Sequence, residues 1–356
     1  MKPRVLFITE HGDSASSLYR SIVPAKGLRV LGYTVDVSHV LIQRSDRQLT
    51  GLNKHVRFIR SPDVIVARRM NGPDGKYLAC KDMILDARTH GQRVFFDLDD
   101  DPWNLPAHNP AHGSMSPSEL EAWQTDMEVC NGVIVATDAL RSAVLMNTNV
   151  KDCFVCRSGI DAAAYPVTAR TEREPLRLGW LGTVDYRGRD LYSIADPLRA
   201  ALENCGDSVQ FWHLGSLQNE PVMVADILSP FPVPIVTRPW VTISDLPRSL
   251  AEIDVAVLPM EPGDFNESRS VTTGMALMAS GVPFVVTSTA EYRRLWRMGG
   301  GYVVNTQAEW YEALKMLTQK PYEQFRRDMR VAGYQLAREM FSPVNVARQY
   351  RAVFDE

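Results

Sequence analysis

The residues Asp264–Pro283, DFNESRSVTTGMALMASGVP, lie between two apolar runs and decide the predicted fold. The run before them, Ile253–Pro259 (IDVAVLP), is typical of a buried strand, and so is the run after them, Phe284–Val286. Between these strands the sequence predicts one helix, whose first turn carries Asn266, Ser268, Arg269 and Ser270. Hydroxyl groups, a guanidinium and free backbone N–H groups then converge at the positive end of a helix, which predicts an anion site suited to phosphate.

The same alternation of apolar runs and helical patterns extends along the whole chain. Short runs rich in Val and Ile, separated by helical patterns, predict strands at Val5–Thr9, Thr34–Val40, Val64–Ala67, Val94–Asp97, Gly132–Ala136, Phe154–Cys156, Leu176–Leu181, Val209–His213, Ile235–Thr237, Val255–Leu258, Pro283–Val286 and Gly301–Val304. Continuous apolar strands of this kind belong to parallel sheets that are covered on both faces. The alternation restarts at Leu176 after a polar, proline-bounded stretch, so the sequence predicts two doubly wound α/β domains.

The central stretch resembles the donor-binding region of family 4 glycosyltransferases, which have the GT-B fold. In that family a strand ending in Leu-Pro leads to a Ser-Lys-Ser-type turn, a helix and a Gly-Val-Pro-x-Val segment. The corresponding residues here are Leu258-Pro259, Ser268-Arg269-Ser270 and Gly281–Val285. In the order of predicted strands and helices the resemblance covers most of the chain, but its specific motifs lie mainly in the C-terminal half.

The resemblance implies a domain organisation. Residues 1–165 would form an acceptor-side Rossmann-like domain, 166–175 a linker, and 176–339 a second Rossmann-like domain that binds a nucleotide sugar. Residues 340–356 would form a helix that crosses back to the first domain. A deep cleft between the two domains is expected.

A glycine turn follows the first strand of the predicted second domain. Gly182 allows the backbone to approach phosphate or sugar closely, and Thr183 stands where the family more usually has an arginine. A cation a few residues later contacts the donor diphosphate in the family. By spacing, the resemblance assigns this role to Arg187, with Arg189 next, although a pair of loop arginines is otherwise simply solvated.

Other donor contacts come from later segments. The resemblance places the nucleobase near the start of the segment from Trp240 to Asp254, which makes Arg238 and Trp240 candidates for base contacts; Trp240 equally fits a core position. The phosphate contacts would come from Asn266, Ser268, Arg269 and Ser270. The charge of the leaving diphosphate would be stabilised by Arg187 and Arg269, and no protein nucleophile is implied.

An acidic run, Asp97-Leu98-Asp99-Asp100-Asp101, follows the fourth predicted strand. Four carboxylates in five residues repel one another, so a cation, sugar hydroxyl groups, helix N-caps or solvent must compensate them. In a GT-B fold this loop faces the cleft, which assigns Asp97 and Asp99 to acceptor binding, and Asp99 and Asp100 to catalysis as hydrogen-bond acceptors. Phe95–Asp99 also resembles the opening motif of haloacid-dehalogenase phosphatases, but that motif opens its fold, whereas a long stretch precedes it here.

The loop after the first strand, Glu10–Ser16, is rich in small residues. The family has a Gly/Ser-rich turn at this place, often followed by Tyr-Arg in the next helix, and Tyr19 and Arg20 match that form. The resemblance therefore assigns Ser17, Tyr19 and Arg20 to acceptor binding. An ordinary strand-to-helix connection is the alternative.

The chain departs from the family at its Glu-x7-Glu pair, whose positions are occupied by Ser268 and Ala276. The resemblance still implies transfer of a sugar from a nucleotide sugar to an unidentified acceptor, with retention at the anomeric carbon and without a metal or other cofactor. Two alternatives stay open. One is a nucleotide- or sugar-binding protein without catalysis, and the other is a glycosyltransferase that acts on a macromolecule such as a modified DNA base or a protein.

Composition is that of an ordinary globular chain: 356 residues, 45% hydrophobic and 23% charged. A net charge of −3 gives no support for nucleic acid binding, although it leaves a local basic groove open. Five cysteines, including Cys153-x-x-Cys156, are sparse and odd in number, which indicates buried thiols in a reducing compartment. With no apolar run of bilayer length and no signal peptide, we expect a cytoplasmic protein without membrane insertion. Oligomeric state is not indicated.

Overall fold

The computed structural model describes residues 2–9, 14–39, 62–68, 79–113, 115–166, 173–217 and 220–355. The predicted loop residues 10–13 and most of the predicted linker, 167–172, lie outside this range. The chain forms two compact units. The first contains Met1–Ile160, Ser268–Ser270 and Phe341–Glu356, and the second contains Asp161–Glu267 and Val271–Met340.

The first unit contains a six-stranded parallel sheet with the order β2-β1-β3-β4-β5-β6. Its strands are β1 (Arg4–Thr9), β2 (Thr34–His39), β3 (Val64–Arg68), β4 (Arg93–Leu98), β5 (Gly132–Val135) and β6 (Cys153–Val155). Its helices are α1 (Ala15–Ser17), a π-helical turn (Leu18–Ile22), α2 (Val23–Val30), α3 (Lys81–Thr89), α4 (Pro117–Val129), α5 (Asp138–Asn147) and α15 (Pro343–Asp355).

Both faces of this sheet are buried. Leu6, Ile8 and Phe96 belong to an apolar cluster on one face, and Phe7 and Phe95 belong to a cluster on the other. Strands with apolar side chains on both sides need a helical layer on each face, which is why these runs show no polar alternation.

The second unit contains another six-stranded parallel sheet, with the order β12-β11-β10-β7-β8-β9. Its strands are β7 (Leu176–Leu181), β8 (Val209–Ser216), β9 (Ile235–Pro239), β10 (Val255–Leu258), β11 (Phe284–Thr287) and β12 (Tyr302–Val304). Its helices are α6 (Val184–Tyr192), α7 (Ala195–Leu202), α8 (Glu220–Leu228), α9 (Leu246–Leu250), α10 (Asp264–Ser268), α11 (Thr272–Ala279), α12 (Ala290–Trp296), α13 (Gln307–Thr318) and α14 (Glu323–Glu339). Short 3-10 turns occur at Ala162–Ala164, Gly206–Ser208 and Lys320–Tyr322.

Local sequence signals fix several helix starts. Ser116 and Glu119 form a capping box at the start of α4, and Thr306 and Glu309 form another at the start of α13. In each box the hydroxyl accepts from the third backbone N–H and the glutamate accepts from the cap residue, so two unpaired donors are satisfied together.

The C-terminal helix α15 belongs to the first unit, as the resemblance predicted. It packs against α2, and it buries five apolar or aromatic side chains: Val346, Ala347, Tyr350, Val353 and Phe354. Two glycines make room for it. A Cβ atom at Gly27 would lie 1.8 Å from the carbonyl oxygen of Pro343, and one at Gly159 would lie 2.6 Å from Val346.

The predicted fold class, two doubly wound parallel sheets with a C-terminal helix returning to the first, is therefore confirmed. All the predicted strands are present. The five cysteines are free thiols, and the predicted burial of Cys153 and Cys156 is confirmed. Burial raises the pKa of Cys156 to about 12, which keeps the thiol protonated and unreactive. Among the described residues, none of the helices has the length and apolar character needed to span a bilayer.

Candidate functional site

The acidic run of the first unit is compensated mainly by arginines and backbone N–H groups. Asp97, at the end of β4, is 2% exposed and pairs with Arg20 from the π-helical turn. Asp101 is 1% exposed and accepts from the backbone N–H groups of Trp103 and Asn104, at 3.0 and 3.2 Å. The described residues contain no group of three or more His, Cys, Asp or Glu side chains placed to hold a metal ion.

Arg20 is enclosed within the first unit. Its Nε donates to Asp97 Oδ2 at 3.2 Å, its Nη2 donates to Asp97 Oδ1, and its Nη1 donates to the carbonyl oxygen of Cys156. Tyr350 of α15 donates to the carbonyl oxygen of Arg20 at 3.2 Å and to Asp97 Oδ1 at 3.4 Å. Removing either member of such a buried pair would leave an uncompensated charge.

Asp99 lies nearer the surface, one residue beyond β4. Its Oδ1 accepts from Arg68 Nη2 at 2.7 Å, and its Oδ2 accepts from Ser16 Oγ at 2.6 Å. The side chain of Asp99 is 20% exposed, whereas that of Arg68 is 6% exposed. Asp100, the next residue, is exposed. Of the four carboxylates, Asp99 and Asp100 are thus the ones that reach the surface.

The other predicted acceptor-binding residues are buried. Ser17 is 0% exposed, Tyr19 3% and Arg20 1%. The hydroxyl of Ser17 lies 2.5 Å from that of Thr9, and the backbone N–H of Ser17 donates to Ser14 Oγ at 3.0 Å. These side chains are therefore packed inside the first unit and do not face a ligand.

In the second unit, Gly182 follows β7 and adjoins Arg187 on α6. A Cβ atom at Gly182 would lie 2.9 Å from Cγ of Arg187, so a larger residue would push the arginine away. The carbonyl oxygen of Gly182 lies 2.8 Å from Nε2 of His213. Thr183 stands at the start of α6, but its side chain makes no capping hydrogen bond.

Asp190 connects α6 to the segment after β10. Its Oδ2 accepts from Arg187 Nη1 at 3.0 Å, and its Oδ1 accepts from the backbone N–H of Glu261 at 2.7 Å and from Asn266 Nδ2 at 3.3 Å. Asn266 also donates to the carbonyl oxygen of Glu261 at 2.8 Å. Because β7 and β10 are neighbours, this network fixes Arg187 at the carboxyl edge of the second sheet. Arg189 is more exposed and lies 3.5 Å from Glu261.

The prediction of a single helix between β10 and β11 is wrong. The chain forms α10 and α11 instead, and 269–271 between them are not helical. Asn266 and Ser268 thus lie on the short helix α10, and the longer helix α11 begins only at Thr272, with Thr272, Thr273 and Gly274 in its first turn. The backbone N–H of Gly274 donates to the hydroxyl of the buried Tyr292 at 3.2 Å. Burial raises the pKa of Tyr292, and the charge of nearby Arg187 acts against that rise.

The residues Ser268–Ser270 are grouped with the first unit, whereas Arg187 and Asn266 belong to the second. Within the first unit, Thr137 Oγ1 donates to the carbonyl oxygen of Ser268 at 2.7 Å, and it also accepts from the backbone N–H of Leu140 to cap α5. Glu267 accepts from the backbone N–H of Ala290 at 2.8 Å, so this carboxylate caps α12.

Arg238 lies on β9 and its guanidinium lies over the ring of Trp212. Its guanidinium carbon is 4.5 Å from the ring centroid of Trp212, while that of Arg177 is 4.4 Å from the same centroid. Arg238 Nε also donates to Glu252 at 3.1 Å. Trp240, for which sequence left a core position open, is instead 56% exposed.

Sequence reasoning missed Arg68, Ser16 and Asp190. Arg68 directly follows a predicted strand, and Asp190 stands three residues after Arg187, a spacing that brings two side chains together on a helix. These two features of the sequence could have indicated that Arg68 and Asp190 belong to the site. Neither shows which strands are neighbours, and it is the register of β3 with β4 that sets Arg68 beside Asp97.

No protein-family model matches the sequence, and no curated protein matches it. Solved structures do match. Anabaena HepE in complex with UDP and glucose has a TM-score of 0.63 at 15% identity, and the match covers 99% of each chain. Sucrose-phosphate synthase from Thermosynechococcus elongatus has a TM-score of 0.68 at 12% identity, covering 99% of this chain and 100% of that chain.

S. aureus TarM, in a complex that contains UDP, has a TM-score of 0.60 at 12% identity. The match covers 82% of this chain and 55% of TarM, so this chain spans about half the length of that relative. At such identities the likeness establishes the fold. With its two parallel six-stranded sheets, the fold is that of the GT-B glycosyltransferases.

Proposed function

We propose that this protein transfers a sugar from a nucleotide sugar to a hydroxyl-bearing acceptor. The observation that carries the proposal is the network around Asp190, which holds Arg187 beside the glycine turn at the carboxyl ends of β7 and β10. Ligands of open parallel sheets bind at that edge, and an oriented arginine is suited to a diphosphate.

The donor diphosphate would contact the backbone at Gly182 and Thr183 and the side chains of Arg187 and Arg189. The N-terminus of α11 would add backbone N–H groups and the positive end of a helix dipole. Ser268, Arg269 and Ser270 stay candidates for donor contact through the resemblance. Asn266 would act indirectly, because its amide nitrogen already donates to Asp190 and to the carbonyl oxygen of Glu261.

The base would be bound near the end of β9. Arg238 is engaged with Trp212 and Glu252, so the exposed indole of Trp240 is the better platform for a stacked base. HepE was solved with UDP, which makes UDP the first probe to use.

Catalysis would depend on stabilising the charge of the leaving diphosphate. Cationic groups fixed before the reaction are the largest contribution in many enzymes. Arg187 and Arg269 would provide it, with no metal or other cofactor. In the first unit, the carboxylates of Asp97 and Asp99 are paired with arginines. Retention at the anomeric carbon is proposed from the family resemblance, and proton NMR of the first-formed product would test it.

The acceptor would be bound by the first unit. Asp99 and Asp100 reach the surface and can accept hydrogen bonds from hydroxyl groups, whereas Ser17, Tyr19, Arg20 and Asp97 are buried. We propose a carbohydrate or another polyol as the acceptor class.

Binding of UDP to the intact protein, measured by calorimetry, tests the donor site. Arg187→Ala should weaken binding by about 1.5–3 kcal/mol, which is roughly a 10- to 150-fold rise in Kd. Arg199→Ala is the matched control, because Arg199 also pairs with an aspartate three residues away, Asp196, on the neighbouring helix α7. Equal UDP affinity in the wild type and Arg187→Ala would show that the site is misplaced.

Release of UDP from UDP-glucose, with and without EDTA, tests the reaction. We expect turnover that persists in the chelator. Reversible loss of turnover in EDTA would contradict metal independence. Tight binding of nucleotide sugars without any release or transfer would instead favour the binding protein that the absent glutamate pair at Ser268 and Ala276 suggests.

A further inference from the structure

Asp99 stands at the outer end of a row of alternating charges in the first unit. The row runs Arg20, Asp97, Arg68, Asp99, and the exposed fraction of the side chains is 1%, 0%, 6% and 20%. Each charge has an opposite neighbour, so the row is close to neutral as a whole. Asp99 is the most exposed member of the row, so a ligand can reach the row at Asp99.

Arg68 is fixed by three groups at once. Its Nη2 donates to Asp99 at 2.7 Å, and its Nη1 lies 3.5 Å from Asp97 Oδ2 and 3.4 Å from the carbonyl oxygen of Ser16. These partners come from different elements, and a planar guanidinium can meet them together because its donors point in fixed directions. A lysine at this position would keep the charge but lose that geometry.

The carboxylate of Asp99 keeps accepting capacity. Each of its oxygens has two lone pairs, and the bonds from Arg68 and Ser16 occupy one on each oxygen. Two further hydrogen bonds can therefore be accepted. Hydroxyl groups on neighbouring carbon atoms of a sugar or another polyol supply two donors at matching spacing.

We infer that Arg68 is a positioning residue that orients the carboxylate of Asp99, so that Asp99 accepts hydrogen bonds from two hydroxyl groups of a polyol acceptor. This inference rests on the proposed function, in which the first unit binds the acceptor. It assigns Asp99 an orienting role and makes it a poor proton acceptor.

The charges that face Asp99 come from several elements. The cations are Arg68 of β3 and Arg20 of the π-helical turn. Of the neighbouring carboxylates, Asp97 of β4 shares Arg68 with Asp99, and Asp100 is the next residue in the chain. Burial acts to raise the pKa of Asp99, but the charge of Arg68 and the hydrogen bonds from Arg68 and Ser16 outweigh it and hold that pKa well below its usual range. A carboxylate with so low a pKa binds hydroxyl groups without removing their protons.

NMR of the intact protein labelled with ¹³C at its aspartate carboxyl groups tests the inference, with Asp99→Asn used to assign the resonance. In the wild type the Asp99 resonance should not titrate between about pH 8 and pH 4, and D-glucose should shift it. In Arg68→Met it should titrate near the ordinary value of about 3.9 or above, and the glucose concentration needed for half the shift should rise roughly tenfold. Arg68→Lys should keep the low pKa but bind glucose more weakly.

Arg4→Met is the matched control. Arg4, at the start of β1, pairs at 3.1 Å with Asp63, which directly precedes β3, and this pair is exposed. This variant should leave both readouts at Asp99 unchanged. If glucose does not shift Asp99 in the wild type, or if Arg68→Met leaves titration and glucose response unchanged, the inference is overturned. If UDP fails to bind the wild type while glucose still shifts Asp99, the proposed donor site is overturned and the inference about Arg68 stands. The two failures are therefore distinguishable.

Discussion

Asp97, Asp99, Asp100 and Asp101 share one short segment, but their surroundings differ. Asp97 faces a buried arginine, Asp101 caps a turn, Asp99 is held by Arg68 and Ser16, and Asp100 is exposed. The chemistry of a carboxylate is decided by these partners, so one acidic run contains structural and ligand-facing positions side by side.

Asp97→Asn should strongly destabilise the protein. Arg20 would keep its charge in a site that is 1% exposed, and the loss of one partner from a buried pair typically costs about 3–5 kcal/mol. Urea unfolding would measure this. Asp100→Asn is the control and should change the free energy of unfolding far less. Equal, small effects would mean that the Arg20–Asp97 pair contributes little to folding.

The residue types of the site were predictable, but their partners were not. Gly182 and Arg187 follow from the glycine turn, and the structure places them side by side. Arg20 was predicted to face the acceptor, and it is instead buried against Asp97, because the strand order β1-β3-β4 brings their elements together. A pairing between residues far apart in the chain depends on topology, which a local pattern does not contain.

The strands of both sheets are the elements that sequence predicts best. Runs such as Val255–Leu258 are apolar throughout and are buried throughout, so pattern and structure agree. The helix after β10 is different. Ser268, Ser270 and Thr272 have side chains that compete for backbone hydrogen bonds, and the chain leaves the helical conformation between α10 and α11. The helix-favouring run Met275–Ala279 in α11 concealed this break.

Gly27→Ala should weaken the packing of the C-terminal helix α15 against α2. The new methyl group would meet the carbonyl oxygen of Pro343 and Cβ of Ala347, at 1.8 and 2.7 Å, so α2 and α15 must move apart. We expect a loss of at least about 1–3 kcal/mol, the usual cost of overpacking. Gly263→Ala is the control, because a methyl group there meets nothing within 4 Å. Equal melting temperatures of the two variants would contradict this account.

At the scale of the whole chain, each unit has its own apolar core, but the first unit is not continuous in sequence. It needs α15, which comes after the entire second unit. The backbone N–H of Ile160 donates to the carbonyl oxygen of Phe341 at 2.8 Å, which joins the end of the first long segment to the start of the last. Completion of the first unit therefore requires α15, which is made after the whole second unit.

Truncation after Met340 should unfold the first unit and spare the second. It removes five buried side chains of α15, and at about 1.5–3 kcal/mol for each large one the loss is comparable with the whole stability of a domain. Hydrogen exchange followed by mass spectrometry should show lost protection in β1 and β4 and retained protection in β7 and β10. Retained protection in β1 would show that the first unit folds without α15.

The row Arg20, Asp97, Arg68, Asp99 also has an evolutionary consequence. A mutation that removes one inner charge leaves the neighbouring buried charge uncompensated. Evolutionary intermediates that keep only three of the four charges would therefore be selected against. The four positions should then be inherited as a set, kept together or replaced together by neutral residues. In an alignment of related sequences, Arg68 should covary with Asp99 more strongly than either does with the exposed Asp100.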